Sequence, residues 1–147
     1  SDFGGKTALD IFGKNILDQS LVKKCVLFES CMFINNGDGT FKIKKLPVMS
    51  QFSPVRDILI SDFDRDGNAD LLLAGNDYAV RPSYGRYDAS YGWCLLYDNA
   101  NGYKTLLPVE SGLKIRGDSR KILPVKIAGK QYIVAAVNNG NMLLFQY

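Results

Sequence analysis

The densest chemistry in the chain lies in one run, Asp62-Phe63-Asp64-Arg65-Asp66-Gly67-Asn68-Ala69-Asp70. Carboxylates at loop positions 1, 3 and 5, followed by glycine at 6, are the spacing by which a backbone wraps a hard cation. Alternate side chains converge, and glycine permits the sharp turn that aims the next carbonyl inward. Asp70 adds a carboxylate at position 9. The expected donors are therefore Asp62, Asp64, Asp66 and Asp70, with the Asn68 backbone carbonyl at position 7, and calcium is the ion that suits them. Without a cation, carboxylates crowded in this way repel one another. An EF-hand opens in the same manner but needs a glutamate at position 12 and a helix on each side. Position 12 here is Leu73, and Ile58-Leu59-Ile60 and Leu71-Leu72-Leu73 on the two flanks read as strands.

Little else in the composition supports catalysis. There is no histidine, which excludes Ser-His-Asp and Cys-His machinery and His-ligated metals. The three cysteines, Cys25, Cys31 and Cys94, show no zinc or redox spacing. If residues 25–34 form one strand, Cys25 and Cys31 lie roughly 20 Å apart, too far for a disulfide; three buried, unpaired thiols are expected. Asp88 and Glu110 are carboxylates outside the loop that a glycan hydrolase would use as a pair, but their spacing shows no pairing. Residues 76–91 (NDYAVRPSYGRYDASY) hold Tyr78, Tyr84, Tyr87 and Tyr91 with Arg81 and Arg86. Tyrosine with arginine on a loop is the composition of a binding hot spot, and stacking on a sugar or a peptide suits it. The same tyrosines would also serve to fold the insertion onto its neighbour.

The elements that must hold these residues read as β-structure. Residues 7–20 carry Leu9, Phe12 and Ile16 on one helical face, interrupted by Gly13, and predict one or two short turns of helix. Thereafter about nine short strands are expected, with almost no helix. Residues 25–34 and 41–46 flank the cluster Asn35-Asn36-Gly37-Asp38-Gly39 as a hairpin. The alternation of Lys42, Ile43 and Lys44 predicts a half-buried strand with its lysines in solvent. An internal repeat is visible: residues 31–39 (CMFINNGDG) align with residues 94–102 (CLLYDNANG), and Met142-Leu143-Leu144-Phe145 begins a third copy. Residues 57–60 and 71–73 parallel residues 121–125 and 133–136, with the acidic loop reduced to Ala128-Gly129-Lys130 in the second copy. Four strands per unit is the make-up of a propeller blade. The expected layout is a linker with a short helix over 1–24 and a partial β-propeller over 25–147. Within it, 25–47 end one blade, 55–108 form a complete blade, and 121–147 begin another. The fold class is thus all-β, antiparallel.

The segment SDFDRDGNADLLLAGN and the preceding FINNGDGTF resemble FG-GAP/VCBS repeats of integrin-like propellers; GRYDASYG is similar to the C-terminal part of large bacterial VCBS proteins with an ASPIC/UnbV-type module. The likeness covers residues 31–76, and the later hairpins more loosely. It implies calcium on Asp62, Asp64, Asp66, Asp70 and the Asn68 carbonyl, where it would stabilise the blade. It further implies a secreted or cell-envelope binding module for adhesion. Its partners would be a protein or carbohydrate ligand, and the remaining blades of a longer parent or further copies of itself. The chain departs from the pattern in lacking a Gly-Ala-Pro element and in losing the loop from its last repeat, so a single calcium site is expected.

Bulk properties fit such a module. At 147 residues, with 46% hydrophobic and 22% charged residues, the chain can build an ordinary core. A net charge of +3 with short, scattered lysine runs argues against nucleic acid. No stretch approaches the roughly 18 apolar residues of a membrane span, and residues 1–20 are too polar for a signal peptide.

Overall fold

The structure, a computed structural model, describes residues 3–147; the first two residues of the expected N-terminal linker lie outside that range. Thr7 starts the first helix, α1 (Ala8–Phe12), with a capping box: its hydroxyl accepts from the Asp10 N–H, and the Asp10 carboxylate accepts from the Thr7 N–H at 2.8 Å. Gly13, with φ 75°, breaks the chain before α2 (Lys14–Asp18). Both helices are a turn or so long, as expected. Their apolar residues Leu9, Phe12 and Ile16 are each more than half exposed. No helix among the described residues is long and apolar enough to cross a membrane.

The rest of the chain is all-β and antiparallel, arranged as three sheets. The first pairs β1 (Cys31–Asn35) with β2 (Phe41–Lys45). The second runs in sequence order through β3 (Val55–Ser61), β4 (Asp70–Gly75), β5 (Trp93–Asp98) and β6 (Gly102–Leu106). A one-turn helix, α3 (Pro108–Ser111), leads to the third sheet, made of β7 (Ser119–Ile127), β8 (Lys130–Val137) and β9 (Leu143–Gln146). None closes on itself. Pro124 sits in β7, an edge strand, where a missing N–H costs no ladder bond.

The repeat seen in the sequence has a physical counterpart in two hairpin turns. Asn35 Oδ1 accepts from the Gly37 N–H at 2.8 Å, and Asp98 Oδ1 accepts from the Ala100 N–H at 2.7 Å. Each is a side chain closing its own turn two residues on.

The four-stranded sheet is covered on both faces, which is why β4 is one continuous apolar run rather than an alternating one. Leu71, Leu73, Trp93 and Leu95 pack towards Leu46, Met32 and Met49 on the side of the first sheet. Leu72, Ala74 and Cys94 pack with Ile122, Ile133 and Ala135 of the third, and with Leu113 and Ile115 of the connector. Asp57 adds a polar tie between sheets: its carboxylate accepts from the Ile122 N–H at 2.8 Å and from Lys121 Nζ at 3.0 Å. Gly75 is dictated by space, because a Cβ there would fall 1.7 Å from the Pro54 carbonyl oxygen.

Three expectations are corrected. The strand expected from residue 25 begins at Cys31; residues 25–30 pair with no strand, and Val26 and Phe28 are exposed. Cys25 is consequently an exposed thiol, while Cys31 is partly buried, Cys94 is buried, and all three are unpaired. In β2 the alternation is real but its faces are reversed. Ile43 and its cross-strand partner Phe33 are at least half exposed, while Lys44 turns towards the second sheet, its ammonium 5.1 Å from the Tyr97 ring centre. A lysine can cover apolar surface with its stem and keep its charge over an aromatic face.

Candidate functional site

The acidic loop joins β3 to β4, so its two ends are held by adjacent, hydrogen-bonded strands. Asp62, Asp64 and Asp70 come together: each places a carboxylate oxygen within 4.8 Å of the others. Asp70 is fully buried, and both its oxygens are engaged, Oδ2 by the Phe63 N–H at 2.8 Å and Oδ1 by the Tyr97 N–H at 2.9 Å. It thereby fixes the start of the loop to β4 and β5. Asp62 and Asp64 are exposed, and they accept from the loop's own amides. Asp62 takes the N–H groups of Asp66 and Gly67 at 3.1 and 3.0 Å, and Asp64 that of Asp66 at 3.2 Å. Gly67 has φ 88°, the left-handed conformation glycine adopts without strain, and Arg65 at φ 67° shares the tight turn.

Asp66 does not join the three. Its carboxylate is taken by Asn68, through the backbone N–H at 2.7 Å and Nδ2 at 2.8 Å, and those bonds hold its pKa below the ordinary value. Asn68 in turn accepts from Asn99 Nδ2 at 3.3 Å. The 1-3-5 spacing is legible in the sequence, but an aspartate can also close a turn on the residue two further on, and here that decides where Asp66 points.

The loop carries a concentrated negative field. Burial, followed by the charges of Asp66, Asp70 and Asp62, raises the Asp64 pKa. Burial pushes the Cys94 thiol up to about 11, aided by the carboxylates of Asp70 and Asp64. Tyr103, whose hydroxyl donates to the Ala69 carbonyl at 3.0 Å, is raised by burial and by Asp70. As a donor set, clustered carboxylate oxygens suit a hard divalent cation better than a thiophilic metal.

The insertion of residues 76–91 is anchored by a residue that sequence reasoning passed over. Asn76 is buried, with φ 95°. Its Nδ2 donates to the Ser90 and Gly117 carbonyls at 2.9 and 3.0 Å. Its Oδ1 accepts from the Ser53 hydroxyl at 2.6 Å and from the Ser90 N–H at 3.0 Å. A β-bridge between Asp77 and Tyr87 narrows the base of the insertion, and Arg56 forms an ion pair with Asp77.

Of the expected ligand-binding residues, Tyr78, Arg86 and Tyr91 line one recess between the insertion and the 112–118 connector. The Arg86 guanidinium lies 4.6 Å from the Tyr78 ring centre, and that of Arg116 lies 5.3 Å from Tyr91. Arg81, Tyr84 and Tyr87 do not line it. Tyr84 stands exposed on a short 3-10 turn, Pro82–Tyr84, and Tyr87 serves through its backbone. Arg116 was missed because it lies outside the tyrosine-rich stretch and joins it only through the fold. Asp88 lines this recess whereas Glu110 lines an apolar cavity between the second and third sheets.

Comparison with protein-family models, with curated proteins and with solved structures returns no match.

Proposed function

We propose that the chain is a non-catalytic, calcium-binding segment of a β-propeller, one that serves a secreted or cell-envelope protein in adhesion or ligand binding. The observation that carries this reading is the convergence of Asp62, Asp64 and Asp70 within 4.8 Å on a glycine-turned loop between two paired strands. Three carboxylates offer a divalent cation charge neutralisation, and Asp70 is already in place because two backbone amides hold it. The Asn68 carbonyl and solvent would complete the shell, with Asp66 held outside it by its bonds to Asn68.

The propeller part rests on the way the sheets follow one another. A four-stranded sheet in sequence order, flanked face to face by two shorter ones and sharing its last hairpin turn with the first, is how successive blades stack. In that setting the ion pins the loop between the first two strands of a blade, and the 76–91 insertion projects from the same sheet as a recognition loop. Calcium should raise the melting temperature of the purified chain, and excess chelator should reverse the rise. Identical melting in calcium and in chelator would remove the basis of the proposal.

A further inference from the structure

The recess beside the insertion has two guanidinium groups that form no ion pair. Among the described residues, Arg86 and Arg116 take part in no ion pair and no side-chain hydrogen bond, unlike Arg56 and Arg120. Each is instead laid over a tyrosine ring, Arg86 over Tyr78 and Arg116 over Tyr91. Stacking orients a planar guanidinium while leaving its N–H fork free for a carboxylate. Asp118, at the back of the recess, does not quench them. It is buried and forms no ion pair with either: its Oδ2 is taken by Arg120 at 2.6 Å and Asn138 at 3.2 Å, and its Oδ1 has no partner.

The floor is rigid. Ser90 and Gly117, which line the recess from opposite sides, are both hydrogen-bonded to the buried Asn76. The insertion and the connector are thus held at a fixed separation, and the two stacked arginines with them. The inner part of the recess, lined also by Asp88, holds about 190 Å³. That is below the roughly 300–1,000 Å³ of pockets for drug-sized ligands, and it suits a single sugar ring. A second, shallower part of about 580 Å³ continues past Arg86 and Arg116 towards Asn138 and Gly140. It gives room for further units of a chain. The walls are polar, with no aliphatic pocket in the inner part for a peptide side chain.

We infer that this recess binds acidic sugar units of a glycan, with Arg86 and Arg116 taking the carboxylate and Asp88 accepting from ring hydroxyls. A carboxylate alone would satisfy the arginines, but Asp88 would repel it; a ligand with an acid at one edge and hydroxyl donors at the other satisfies both. The assignment rests on the reading of the chain as a binding module, and it does not need the cation.

Titration calorimetry tests it, on the intact chain in chelator and below its melting temperature, so that no calcium bridges protein and sugar. The probes are trigalacturonate, its neutral counterpart trigalactose, and hexaglutamate. Binding of trigalacturonate alone is expected. Arg116→Lys keeps the charge but loses the fork, and Arg86→Ala loses both; each should weaken binding by about tenfold or more. Both side chains are exposed, so unchanged melting temperatures would show that the variants fold. Absence of heat with trigalacturonate, equal binding of the neutral trimer, equal binding of hexaglutamate, or full affinity in both variants would each overturn the assignment. The calcium reading is scored separately, by the melting shift, so either can fail while the other stands.

Discussion

Calcium should stabilise this chain by an amount that can be set in advance. The ion binds the folded loop and not the unfolded chain, so the gain follows mass action. It is not relief of repulsion, since Asp62 and Asp64 are exposed and their mutual repulsion is screened by salt. Extracellular calcium modules bind at about 10⁻⁴–10⁻³ M. At the tighter end, about 10 mM calcium is a hundredfold excess and contributes about 2.7 kcal/mol. For a chain of 147 residues, about 1 kcal/mol moves the melting temperature by roughly 2–4 °C, so the expected shift is about 8 °C. Differential scanning calorimetry in about 10 mM calcium and in excess chelator measures it. Two variants sharpen the test. Asp64→Asn removes one of the three carboxylates, at an exposed position, so the chelated variant should melt no lower than the parent, and its calcium shift should vanish. Asp66→Asn should retain most of the shift, because Asp66 is turned to Asn68 and not to the three converging carboxylates. Loss of the shift in Asp66→Asn as complete as in Asp64→Asn would refute the reasoning from this geometry.

Asn76→Ala would strip hydrogen bonds from the buried Ser53 and Ser90 and from the half-buried Gly117, and place alanine at φ 95°. The expected cost is about 3 kcal/mol in urea unfolding, and a loss below about 1 kcal/mol would mean the hub carries little. Asp57 is pushed up by burial, but the Ile122 amide and Lys121 outweigh that and bring its pKa below the ordinary carboxyl value. Stability from a lowered carboxyl is present above the unfolded value and lost as pH falls through the folded one, so Asp57→Asn should flatten the stability curve in that acid window. A thiol reagent at pH 8 should label exposed Cys25 first. Cys94, buried and with a pKa of about 11, should react only on unfolding.

The strands were readable where pattern and partner agreed. The apolar runs at β4 and β5, and the Asn/Asp/Gly turns between hairpin strands, lead to the observed elements because local chemistry and pairing point the same way. Residues 25–30 failed for want of a partner: an apolar run predicts burial, yet only an adjacent strand makes it β. The reversed faces of β2 have a similar origin, since period two names two faces but not which one meets the next sheet. At the site, the carboxylate spacing showed which residues share a turn, and the competition of Asn68 for Asp66 is a conformational choice that spacing does not encode. Asn76 and Arg116 were invisible for a different reason. Their partners lie at Ser53, Ser90, Gly117 and Tyr91, brought together only by the fold.

The clamped Asp70 has a consequence for which ion the loop prefers. Asp70 is buried and tied through the Tyr97 amide to β5, while Asp62 and Asp64 are held only by amides of the exposed loop itself. A cage with one rigid wall and two adjustable arms readily spans metal–oxygen distances of about 2.3–2.6 Å at irregular angles. It is poorly made for the tight octahedron, near 2.0–2.1 Å, that magnesium demands before it sheds its water. Discrimination against the smaller ion would then come from how little of the loop is held still.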